Sequence, residues 1–145
     1  MKHFAAAAVL GLGVSALLAG HLLSAQPPKT DLSKTDLCAA NLKQIAVAVS
    51  GYTQDFDGAL PPMQTVQATQ AALAPYSASK SLLDCPVTKK PYQPNATLSA
   101  KALGKLLHPN TQYLFRDSVA HPDRRLTYLY ADGHIAHLAQ KVPKK

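Results

Sequence analysis

Cys38 and Cys85 are the two cysteines of the chain, and thiols are the most reactive groups it carries. An even count behind an export-type N-terminus points to one disulfide. It closes a loop of about 48 residues and contributes about 4 kcal/mol through lost unfolded-state entropy. Two separately buried thiols are the alternative. Neither cysteine has a CxxC partner or a His-rich neighbourhood in the sequence, so a catalytic thiol is not expected. Asp55 and Asp57 flank Phe56 ahead of Gly58 and make a weak candidate for calcium, because alternating carboxylates around a sharp turn suit a hard cation. Val66 stands at the twelfth position from Asp55, where an EF-hand places a bidentate Glu. The run therefore reads first as a helix-terminal turn whose Asp side chains bond local N–H groups.

His134 and His137 invite a metal reading with His121 or Asp132. On a strand, residues three apart face opposite sides, so those two cannot share one ion. There is no Gly-x-Ser-x-Gly elbow, and Ser118 beside Asp117 and His121 is a loop composition. Arg116, Arg124 and Arg125 are available for surface pairs with Asp117 or Asp132, each worth under about 1 kcal/mol. No catalytic residue, metal or cofactor is expected, and the chain reads as a non-enzymatic protein.

The elements that must position these groups begin with the stretch Thr35 to Pro62. Cys38, Leu42, Ile45, Val49, Tyr52 and Phe56 recur at alternating steps of four and three and lay an apolar stripe along a helix. Asn41, Lys43, Gln44 and Gln54 fall off the stripe. Thr35 or Asp36 is the expected cap, and the Asp-Phe-Asp-Gly run with Pro61 and Pro62 the expected stop. An amphipathic helix is marginal alone, so the downstream chain must cover it.

Downstream, Val66 to Ala74 is a short helix ending before Pro75. Ser81 to Cys85 is a short strand or covering loop, and Thr88 to Asn95 is loop. Leu98 to Leu107 is weakly helical, and Thr111 to Arg116 reads as a strand. Leu126 to Ala131 and His134 to Ala139 form a hairpin turning at Asp132 and Gly133, where glycine supplies the positive φ of a tight turn. Tyr113, Phe115, Tyr128, Leu129, Tyr130, Ile135 and Leu138 are available to pack on the helix. One helix followed by a small antiparallel sheet is an α+β fold.

With 145 residues and 47% apolar content, the chain fits one small domain plus an appendage. It has no Glu and no Trp, and its formal charge is +7. The basic residues are scattered apart from Lys89-Lys90, Arg124-Arg125 and Lys144-Lys145, which reads as a solvated surface; nucleic acid is an unlikely partner. Phe4 to Leu23 carries no formal charge and follows Lys2, the pattern of an export signal. Its length leaves two outcomes, a cleaved signal peptide or a retained inner-membrane anchor. Residues 1–25 are thus signal or anchor, 26–35 a Pro-marked linker, 36–140 the α+β domain and 141–145 a basic tail. The domain is expected outside the cytoplasm, in the periplasm or at the cell envelope.

CAANLKQIAVAVSGYTQDFDGALPP resembles the helix and following loop of type II secretion pseudopilin-like and type IV pilin-like proteins, in the subfamily with prepilin-type processing and an H-X9-DG signature. Tyr52, Asp55, Asp57, Gly58, Leu60 and Pro61 match its Tyr-x-x-Asp-x-Asp-Gly-x-Leu-Pro loop. Cys85-Pro86, Asn95 with Leu98, and Pro109 before the strand ending at Asp117 follow in order. Tyr130-Ala131-Asp132-Gly133-His134-Ile135 is similar to its terminal hairpin. The N-terminus departs from the pattern, since no Gly precedes Phe4 and Ala8 stands where a Glu is usual; separately, the His-to-Asp-Gly spacing is loose, His121 preceding Asp132 by eleven positions. The resemblance implies a pilin-like head, a structural or accessory role in an envelope secretion or pilus-like system, and other subunits of that system as partners. The alternative is a small secreted binding module for an anionic ligand or polymer.

Overall fold

The computed structural model describes residues 34–140. The expected signal or anchor, most of the linker and the basic tail lie outside the described residues. Among those described, no helix is long and apolar enough to cross a membrane.

The chain is a mixed α+β fold. Helix α1 (Lys34–Asp55) comes first, followed by α2 (Val66–Leu73). Four strands then form one antiparallel sheet in sequential order: β1 (Gln93–Pro94), β2 (Tyr113–Arg116), β3 (Arg125–Tyr130) and β4 (Ile135–Ala139). Short 3-10 turns at Ala74–Tyr76, Ala96–Leu98, Leu103–Lys105 and Pro109–Thr111 fill the connections. Thr35 and Asp36, expected as caps, lie inside α1 instead. The helix stops at Asp55 because Asp57 and Gly58 turn left-handed (φ 51° and 80°), and Gly58 N–H closes back on Thr53 O at 2.7 Å. Thr65 caps α2, its hydroxyl accepting from Ala68 N–H.

Along α1, Cys38, Leu42, Ile45, Ala48 and Val49 are buried and share one core with Leu114, Phe115 and Leu129 of the sheet. The expected stripe runs one turn too far. Phe56 is exposed, stacked on half-buried Tyr52 with ring centroids 4.1 Å apart, because the helix has already ended before it. Much of the remaining core comes from irregular chain: Leu60, Met63, Leu82, Leu83, Tyr92 and Leu98 are all buried. The expected loop before Asn95 contributes β1, a two-residue edge strand that tolerates Pro94 because an edge position does not demand every N–H.

In β2 the register against β3 slips between Tyr113 and Phe115. This bulge lets consecutive residues Leu114 and Phe115 both enter the core. Pairing of Leu129 with Phe115 and Ile135 defines the inner face. Tyr128, Tyr130 and Leu138 belong to the outer face by strand alternation, so they do not pack on the helix as expected. Leu138 is accordingly exposed, and Tyr128 meets Tyr113 edge-on at 5.7 Å.

Candidate functional site

The cysteines meet at the seam between α1 and the sheet. Cys38 sits early in α1, and its backbone carbonyl accepts from Tyr92 O–H at 3.3 Å. One turn on, Asn41 Nδ2 donates to Leu82 O at 2.9 Å and Asp84 O at 3.2 Å, tying the helix to the segment that carries Cys85. Cys85 opens a tight loop: its N–H donates to Lys90 O, its carbonyl accepts from Lys89 N–H, and Lys89 takes a positive φ of 55° to close the turn. Burial pushes the Cys38 thiol up to about 12, helped by its contact with Cys85, while the Val87 backbone N–H bonded to it pulls the other way.

Asp117 follows β2 directly and exchanges two bonds with Thr127. Its N–H donates to Thr127 O at 3.0 Å, and its Oδ2 accepts from Thr127 N–H at 2.6 Å. A reversed turn places His121 four residues on, fixed by His121 N–H to Arg125 O and Arg124 N–H to His121 O, both 2.9 Å. His121 Nε2 then lies 3.1 Å from Asp117 Oδ2 and 3.5 Å from Cys85 Sγ.

One donor atom from each of Cys38, Cys85, Asp117 and His121 lies within 4.8 Å of every other. All four residues are buried, none more than 3% exposed. Two polar atoms in this cluster, Asp117 Oδ1 and His121 Nδ1, are buried with no hydrogen-bond partner. The thiols are free, so the expected Cys38–Cys85 pair is brought together but is not bonded in the structure. The set offers two sulfurs, an imidazole nitrogen and a carboxylate oxygen, a donor combination suited to a borderline-soft cation.

The sequence hides this site on two counts. Asp117 and His121 lie in a stretch of loop composition, and Cys85 has no histidine in its own sequence neighbourhood. His121 reaches it from 36 positions away. The expected surface pair of Arg116 with Asp117 does not occur. Arg116 instead donates through Nε and Nη2 to Gln93 Oε1, while Asp117 is buried.

The other candidates lie apart from the cluster. Asp55 Oδ2 accepts from Tyr76 O–H at 2.7 Å on the surface, and Asp57 is exposed in the left-handed turn. Asp132 and Gly133 (φ 88°) form the β3–β4 turn. There His134 donates its backbone N–H to Asp132 Oδ1, brings Nδ1 to 2.6 Å from the same oxygen, and stacks on Tyr130 with centroids 4.3 Å apart. That backbone N–H, followed by the ring, holds the Asp132 carboxyl below its ordinary value. His137 lies on β4 with Nδ1 3.3 Å from Thr127 Oγ1. Ser118 is exposed. A surface depression of about 250 Å³, lined by residues including Asn41, Ser81 and Lys89, touches the cluster at Cys85.

No protein-family model, no curated protein and no solved structure matches this chain.

Proposed function

We propose that the chain is a non-enzymatic, exported accessory domain of a secretion-type or pilus-like envelope assembly, in which a pilin-like head is carried behind the apolar segment Phe4 to Leu23. The observation that carries this reading is the way the chemistry-bearing side chains are enclosed. Cys38, Cys85, Asp117 and His121 sit at the seam where α1 meets the sheet, each almost wholly out of solvent. A group in that position braces one element against another; a catalytic group must touch substrate. The order of parts also supports it: a charge-free N-terminal segment, a long amphipathic helix, and an antiparallel C-terminal sheet covering that helix.

Fractionation of the native cell, followed by mild cross-linking and identification of the captured proteins, tests the proposal. Recovery in the envelope fraction together with secretion or pilus-like subunits is the expected result. Recovery in the cytoplasm would overturn it. Salt-sensitive retention on a polyanion without any envelope partner would replace it with the anionic-ligand module.

A further inference from the structure

We infer that Cys38, Cys85, Asp117 and His121 form a structural site for a tetrahedral divalent transition metal, best matched by zinc, that clamps α1 to the sheet.

The geometry carries the assignment. A tetrahedral ion with bonds of about 2.3 Å to sulfur and about 2.0 Å to nitrogen or oxygen sets sulfur–nitrogen edges of about 3.5 Å and nitrogen–oxygen edges of about 3.3 Å. The Cys85 Sγ to His121 Nε2 separation is 3.5 Å, and His121 Nε2 to Asp117 Oδ2 is 3.1 Å. All four donors fall within 4.8 Å of one another, the spread of a single coordination sphere.

Hydrogen bonding alone leaves this cluster unfinished. Asp117 spends Oδ2 on the Thr127 amide, and its Oδ1 is buried without any partner. Oδ2 carries a second lone pair beside the one that holds the Thr127 amide, and the unpartnered Oδ1 leaves the carboxylate's charge uncompensated by hydrogen bonding alone. Sealing two thiols, a carboxyl and an imidazole inside an apolar core is costly unless something neutralises them. A dication does so.

The four ligands also come from every part that must be held together: Cys38 from α1, Cys85 from the loop before β1, and Asp117 and His121 from the connection between β2 and β3. Ligation would therefore clamp helix, loop and sheet at one point. On binding, the two thiol protons leave to water as the two Zn–S bonds form, and no electron moves. The surface depression touching Cys85 gives a route in. The site requires both thiols reduced in the compartment where the protein acts, but it does not rest on the envelope proposal, whose failure would leave it standing.

The test uses the full chain, produced and purified without chelator and with its thiols kept reduced. Elemental analysis is expected to return one zinc per chain. Cobalt(II) added to metal-free protein is expected to give the intense visible bands of a tetrahedral thiolate site. Cys85→Ser should lose both signals, and Asp117→Asn should weaken metal retention by about 10-fold or more. The wild-type chain carries an independent readout that does not require Cys85→Ser to fold. Its melting midpoint should fall by about 10 °C with a strong chelator and recover with added zinc. Metal-free wild-type protein that ignores zinc and cobalt at micromolar concentration would overturn the site. So would protein from its native compartment with an intact mass showing Cys38 and Cys85 joined by a disulfide.

Discussion

Cys85 Sγ lies 3.5 Å from His121 Nε2, although 36 positions separate them in the chain. The contact joins a loop clasped under α1 to the turn that leaves β2, and it brings along Cys38 on one side and Asp117 on the other. The chemistry of the molecule is thus concentrated at the junction of its two halves, away from the exposed Asp-rich and His-rich turns.

Burial of both sulfurs makes the thiols inaccessible to a bulky reagent in the folded protein, since Cys38 is 0% and Cys85 1% exposed. Dithionitrobenzoate is expected to label neither residue under native conditions. In guanidinium with chelator it should label both. Labelling of neither residue after unfolding would mean that the thiols had already been joined.

Asp117 is the member of the cluster whose loss should cost most. Its Oδ2 is the acceptor for the Thr127 amide within the sheet and the nearest partner of His121. Asp117→Ala leaves the buried Thr127 amide unpaired and His121 with only its Cys85 contact, and should destabilise by about 3 kcal/mol in urea unfolding. Asp117→Asn keeps an acceptor facing Thr127 and should cost less. Equal losses in the two variants would show that the acceptor at Thr127 contributes little.

The α+β class was legible because two local signals are strong: the four-three apolar spacing from Cys38 to Val49, and the Asp132-Gly133 turn between two apolar runs. The cluster was not legible, since its four residues come from separate segments and only tertiary packing unites them. Leu82, Leu83, Tyr92 and Leu98 were also hidden, because core residues on irregular chain carry no period. Leu138 shows a different failure. It lies three positions from Ile135, so strand alternation sends it outward, the same rule that separates His134 from His137.

The end of the α1 stripe gives a sharp comparison between two phenylalanines. Phe115 is 0% exposed, and Phe115→Ala should cost about 4 kcal/mol through lost burial and a residual cavity. Phe56 is 49% exposed beyond the helix end and keeps only its stack on Tyr52. Phe56→Ala should therefore stay within about 1 kcal/mol of the wild type. Urea midpoints of the two variants check this, and a large loss at Phe56 would mean that the apolar stripe continues past Asp55.

The β3–β4 turn should give the fold a distinct acid dependence. The backbone N–H of His134, and then its ring, hold the Asp132 carboxyl below its ordinary 3.8. A carboxyl depressed on folding stabilises the fold above its unfolded value, and that contribution is lost as the pH falls through the folded value. Wild-type protein should therefore melt higher than Asp132→Asn near neutral pH, and the gap should close as the pH drops below 3.8. Asparagine can still accept the His134 N–H, so the comparison isolates the charge from the turn geometry. Thermal melts at a series of pH values provide the measurement. A gap that persists unchanged into strong acid would mean that Asp132 acts as a neutral turn former, with its contact to the His134 ring contributing nothing.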